Sequence, residues 1–131
     1  MVIDTSAVLA ILLDEPERRS FNERIQADSR RLISAGTLLE CAIVMESRGG
    51  EAAGRELDLF LHRASFDVVA VDADQAEIAR AAYRRYGKGR HAAGLNFGDC
   101  FAYALAKANG EPLLYKGADF ARTDVIPSLC R

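Results

Sequence analysis

The segment Met1-Val2-Ile3-Asp4-Thr5-Ser6-Ala7-Val8-Leu9-Ala10-Ile11-Leu12-Leu13 changes its character at one acidic residue. Ahead of Asp4, Val2-Ile3 is a short apolar run of the kind that forms a strand covered on both faces. Behind it, Thr5 to Leu13 is small and aliphatic, the composition of a buried helix. A strand that turns into a helix through a single carboxylate opens a βα unit. Alternating short apolar runs and amphipathic stretches continue along the chain, which predicts an α/β fold with a parallel sheet.

Working outward, Asp14-Glu15-Pro16 stops the first helix. Asp14 and Glu17 have capping-box spacing with Pro16 in the first turn, predicting a second helix through Phe21 and Ile25. Arg31-Leu32-Ile33-Ser34 reads as strand two. Ala35-Gly36 then turns into a helix over about 37–48, with Leu38, Leu39, Ala42, Ile43 and Met45 as its apolar face, ended by Gly49-Gly50. A further helix covers 51–64, and Phe66 to Val71 alternates into strand three. Asp72 with Gln75 caps a helix over 73–86. The glycine-rich segment 87–94 is expected to be a loop and the most mobile part of the chain. Asn96-Phe97-Gly98-Asp99 opens a helix with a predicted core stripe of Cys100, Phe101, Ala104, Leu105 and Ala108, closed by Asn109-Gly110. Pro112 to Tyr115 is strand four and Val125-Ile126 a short fifth, so the sheet is predicted to have four or five strands.

Composition narrows the function. With 131 residues, half of them apolar and 27% charged, the chain fits one globular domain, taken as 1–131. Its 17 Lys and Arg against 19 Asp and Glu leave a net charge of −2, which excludes a general polyanion binder. The longest apolar run, Ala7 to Leu13, is seven residues, against the ~20 needed to cross a bilayer. The opening Met-Val-Ile-Asp lacks a basic leader, so a cytoplasmic location is expected. Cys41, Cys100 and Cys130 are odd in number and widely spaced, which suits small reduced core residues better than disulfides or zinc. His62 and His91 each stand alone and are given no role.

The informative residues are acids. Asp4 ends strand one, Glu40 lies in the helix after strand two, Asp99 in a first helical turn, and Asp119 just past strand four. If strand one is central, flanked by strands two and four, all four converge at the carboxyl edge of the sheet, where open parallel sheets bind ligands. Two carboxylates ~4 Å apart repel by about 4 kcal/mol at an effective dielectric near 20, and a divalent cation removes that conflict. An all-oxygen set points to Mg²⁺ or Mn²⁺ rather than zinc. Such an ion polarises a phosphate and acidifies a water, so a phosphodiester is the expected substrate. Each acid also has a structural use: Asp4 and Asp99 as helix-terminal acids, and Asp119 or Asp124 as turn residues beside Phe120. Glu40, on an otherwise apolar helix segment, is harder to explain structurally. Among cations, Arg84, Arg85, Lys88 and Arg90 either favour a helix C-terminus or grip nucleic acid. Lys116, beside the end of strand four, is the better single candidate for a phosphate.

Three blocks resemble the PIN-domain ribonucleases, and among them the VapC-type toxins of type II toxin–antitoxin pairs. They are Val2-Ile3-Asp4-Thr5-Ser6-Ala7 with Leu12-Leu13-Asp14-Glu15-Pro16, Leu95-Asn96-Phe97-Gly98-Asp99-Cys100, and Leu114-Tyr115-Lys116-Gly117-Ala118-Asp119-Phe120 with Thr123-Asp124. The resemblance implies a PIN-like three-layer fold with helices on both faces of the sheet. It assigns Asp4, Glu40, Asp99 and Asp119 to the acidic quartet that holds Mg²⁺ or Mn²⁺ for endonucleolytic RNA cleavage. Ser6 follows as a supporting hydroxyl, Asp119 is preferred over Asp124, and Asp124 could contribute through water. A homodimer and a small VapB-type antitoxin are implied as partners. Two rivals remain: an aspartyl-phosphate phosphatase with Asp4 as nucleophile, and a PIN-fold binding module without catalysis.

Overall fold

Four strands, β1 (Val2–Ile3), β2 (Leu32–Ser34), β3 (Asp67–Val69) and β4 (Leu113–Leu114), pair in parallel in the order β3-β2-β1-β4. The computed structural model describes residues 1–128, so Cys130 lies outside the described residues. Val2 stands opposite both Leu32 and Leu113, and Ile3 opposite Leu114, which makes β1 central as expected. Because successive strand residues point to opposite faces, Val2, Leu32 and Leu113 enter one core. Ile3, Ile33 and Leu114 enter the other.

Among the described residues five helices complete the layers: α1 (Thr5–Leu12), α2 (Arg18–Ala27), α3 (Ala35–Arg63), α4 (Ala73–Tyr86) and α5 (Phe97–Asn109). Helices α4 and α5 cover the Val2 face through Ala82, Tyr86, Ala102, Tyr103, Leu105 and Ala106. Helices α1, α2 and α3 cover the Ile3 face through Val8, Ile11, Ile25, Cys41, Leu57 and Leu61. The β1, β2, β3 connections run toward one edge and β4 returns on the other side of β1. The chain therefore reverses direction between β1 and β4, the position where such sheets collect ligands.

Several local expectations change. Asp14 and Glu17 form no capping box: Asp14 takes a left-handed φ of 54°, and Glu17 precedes α2 without a side-chain cap. The predicted helices over 37–48 and 51–64 are continuous in hydrogen bonding but break in direction at Gly50, whose φ of 67° and ψ of −161° only glycine adopts readily. Ahead of Gly50 the buried positions of α3 are Thr37, Cys41 and Met45, one helical face, whereas Leu39 and Ile43 are 61% and 58% exposed. Ala108 of the predicted α5 stripe is exposed, and Ala102, Tyr103 and Ala106 are buried instead, because α5 is enclosed between the sheet and α4. Val125-Ile126 is not a strand. The backbone there makes one parallel bridge, Leu113 to Pro127.

Candidate active site

Asp4 occupies the N-cap of α1, and its Oδ2 accepts from the Ser6 amide at 3.0 Å and the Ser6 hydroxyl at 2.7 Å. The structural use foreseen for this acid is therefore real, yet it takes only one oxygen. Oδ1 is buried and accepts no hydrogen bond. A buried carboxylate oxygen without a donor is costly, and the group responds by holding its proton. Burial raises the Asp4 carboxyl from 3.8 to about 7, opposed by the two Ser6 bonds and reinforced by the charges of Asp99 and Glu40. Ser6 also accepts from the Lys116 amide at 2.9 Å, tying the end of β1 to the end of β4 across the reversal point.

Glu40 reaches the same place from α3. Its Oε1 accepts from the Thr5 hydroxyl, and a Cβ on Gly98 would overlap its carboxylate. Thr5 follows Asp4 in sequence and Gly98 precedes Asp99, so the carboxylate of Glu40 is wedged between the neighbours of the other two acids. Gly36 permits the approach of α3 to α5 in the same way, since a Cβ there would strike the Phe101 ring. Asp99 sits in the first turn of α5, where it forms a reciprocal capping box: Asn96 Oδ1 accepts from the Asp99 amide and Asp99 Oδ2 from the Asn96 amide, both at 2.9 Å. Its carboxyl is raised by burial, against the Asn96 bond, with Asp119 and Glu40 adding negative charge. Asp119, just before the 3₁₀ turn Phe120–Arg122, completes the series on the β4 side.

Asp4, Glu40 and Asp99 thus act on one another at the carboxyl edge of the sheet, and Asp119 acts on Asp99. Among the described residues no three His, Cys, Asp or Glu side chains already stand as a finished ligand set. Glu40 and Asp99 are held by Thr5 and Asn96. The residues nonetheless suit a hard divalent cation: the donors are carboxylate oxygens, one of them buried and unpartnered in a negative field. Cys41 lies beneath the acids, but burial pushes its thiol up to about 12, which removes it as a nucleophile.

The remaining expected residues are placed less centrally. Lys116 offers its amide to Ser6, while its ammonium pairs with Glu15 at 3.1 Å and Glu17 at 3.3 Å. Asp124 accepts from the Tyr103 hydroxyl at 2.6 Å and the Lys107 ammonium at 3.0 Å, and those partners hold its carboxyl below the usual range against its partial burial. Thr5 and Gly98 were missed as contributors. Their adjacency to Asp4 and Asp99 was the available signal.

The whole of this arrangement, from residue 1 to residue 126, matches the PIN domain family. The chain belongs to the PIN-domain family. Ribonuclease VapC of Mycolicibacterium smegmatis is 64% identical over 125 residues, 95% of this chain and 97% of that one. VapC ribonuclease Mb0640 of Mycobacterium bovis is 62% identical over 125 residues, 95% of each chain. The fold is also that of Mycobacterium tuberculosis VapC20, described as a sarcin-ricin loop cleaving toxin, with a TM-score of 0.79 over 98% of both chains at 17% identity. VapBC2 from Rickettsia felis, solved with a DNA fragment from its promoter, gives 0.74 over 96% of this chain and 94% of that one, at 17% identity. PIN-domain ribonucleases work with divalent metal ions, which agrees with the donor chemistry of this PIN domain. No helix among the described residues is long and apolar enough to cross a membrane.

Proposed function

We propose that this PIN domain, taken as 1–131, is the toxin of a VapBC-type pair and an endoribonuclease acting in the cytoplasm. The observation that carries the proposal is Asp4 Oδ1, buried without a donor and surrounded by the charges of Glu40 and Asp99. Identity above 60% to proteins named VapC ribonucleases supports RNA as the substrate and a VapB-type antitoxin as the partner.

In this reading Asp4, Glu40, Asp99 and Asp119 hold Mg²⁺ or Mn²⁺. When bound, the cation supplies Lewis-acid charge stabilisation to a phosphodiester under hydrolysis. Ser6 fixes the rotamer of Asp4 so that Oδ1 stays turned away from its cap, and Thr5 does the same for Glu40. Gly98 leaves the space that Glu40 occupies. A carboxylate not committed to the ion accepts the proton of the attacking water. Lys116 contributes through its amide, and its ammonium becomes available to a phosphate only by leaving Glu15 and Glu17. Asp124 supports the far part of α5 through Tyr103 and Lys107. Leu39, Ile43 and Phe97, exposed together around an apolar groove beside Glu40, are where we place the second copy of a homodimer.

The phosphatase reading lacks its second acid: two residues beyond Asp4 stands Ser6, already bonded to Asp4. Purified protein incubated with RNA and Mn²⁺ should cut at discrete sites, and EDTA or Asp4→Asn should abolish the cuts. Undiminished cleavage in either condition refutes the proposal.

A further inference from the structure

The chain carries a net charge of −2, yet between Glu77 and Asp99 it has five cations and no acid. Among the described residues eight lysines and arginines, Arg80 among them, are paired with carboxylates. Among the described residues, Arg84, Lys88 and Arg90 have no such partner, and all three are exposed. Arg84 and Arg85 close α4, where the helix dipole favours cations, and Arg85 lies over the Tyr86 ring at 4.8 Å. That explanation does not reach Lys88 and Arg90, which lie beyond the helix.

The backbone fixes where these two residues stand. The Lys88 amide donates to the Leu95 carbonyl at 2.8 Å and the Leu95 amide to the Tyr86 carbonyl at 2.9 Å, closing the segment at a parallel bridge. Leu95 is followed at once by the Asn96 cap that orients Asp99. On the other side, Arg122 donates to the Ala92 carbonyl at 3.2 Å, linking the segment to the 3₁₀ turn that begins after Asp119. The basic segment is therefore strapped to the two elements that carry Asp99 and Asp119. An acidic cluster repels a polyanionic substrate, so cations on its border answer a specific electrostatic need.

We propose that Lys88 and Arg90, with Arg84 behind them, grip the sugar–phosphate backbone of the RNA strand next to the scissile bond. The inference rests on the ribonuclease reading above and adds which surface holds the strand. Arg122 is a positioning residue that holds the segment in place through Ala92.

Both side chains are exposed and unpaired, so Lys88→Gln/Arg90→Gln is expected to keep the parent melting temperature. Binding of a fluorescein-labelled single-stranded RNA is measured by anisotropy in EDTA across 50–200 mM KCl, with Arg48→Gln/Arg63→Gln as a charge-matched control on α3. Two lost phosphate contacts should reduce the slope of log K against log salt by about 1.4, a roughly sevenfold change across a fourfold salt range. With Mn²⁺, KM for RNA should rise by a similar factor while kcat stays near the parent value. An unchanged slope in a variant whose parent cleaves RNA overturns this inference alone, as does an equal loss in the control. A double variant that keeps RNA affinity but loses a cognate antitoxin reassigns the surface to a protein partner and also overturns it. A parent that neither binds nor cuts RNA brings down the ribonuclease reading as well.

Discussion

Replacing Asp4 by Asn should stabilise the metal-free protein above neutral pH and do nothing, or slight harm, in acid. The Asp4 carboxyl is raised from 3.8 to about 7 in the folded chain. Between those values the native state holds a proton that the unfolded state has released. Its contribution to stability is therefore greatest below about pH 4, and falls as pH rises toward 7. Above pH 7 the ionised form carries a penalty of about 4 kcal/mol, from a shift of roughly three units at 1.36 kcal/mol each. Asn abolishes that penalty, and its carbonyl can still accept from Ser6. Its amide nitrogen replaces the orphaned Oδ1 and costs about 1–3 kcal/mol if it remains unpaired. The net gain at pH 8 is then about 2 kcal/mol, roughly 6–10 °C in Tm for a chain of this size. At pH 5 the two effects cancel. Thermal melts of parent and Asp4→Asn in EDTA at pH 5 and pH 8 provide the comparison, and Mn²⁺ at pH 8 should raise the parent but not the variant. A variant that melts below the parent at pH 8, or a difference independent of pH, refutes the idea of an unpartnered charge in a negative field. Asp99 is a poorer subject, since Asp99→Asn also weakens the Asn96 capping box.

Gly98→Ala should destabilise the protein by about 1–3 kcal/mol through overpacking and displace Glu40, so cleavage falls even in variants that remain folded at 25 °C. Thr5→Val should lower Mn²⁺ affinity by about 10–100-fold, measured by calorimetry, while Thr5→Ser retains it. Metal-induced stabilisation should be larger at pH 8 than at pH 6, because the cation competes with the proton on Asp4. Tyr103→Phe removes the hydroxyl held by Asp124 and should cost about 1 kcal/mol with cleavage intact, which separates Asp124 from the chemistry.

How much of this was legible in advance follows from the range of the interactions involved. The βα opening at Asp4, the Asn96–Asp99 capping box and the Asp72 cap on the Gln75 amide are decided within a few residues, and each formed where the spacing placed it. Where a second element intervenes, local signals fail. The Asp14–Glu17 pair had the right spacing but no box, and Glu17 instead pairs with Lys116 beyond β4. Leu39 and Ile43 looked like core and face outward, because the core that α3 shares with β1 and α1 takes the Thr37–Cys41–Met45 face of the helix.

The alternation of apolar strands with helices, and the presence of four acids at strand and helix ends, belong to the sequence itself. They need only period, caps and backbone preference. The wedge of Glu40 between Thr5 and Gly98, and the orphaned oxygen of Asp4, came only with the tertiary structure. The first depends on how closely α3 and α5 approach, a distance set by packing at Gly36 and Gly98, and the second on the burial of Asp4 where β1 meets α1, and no local pattern of residues encodes either.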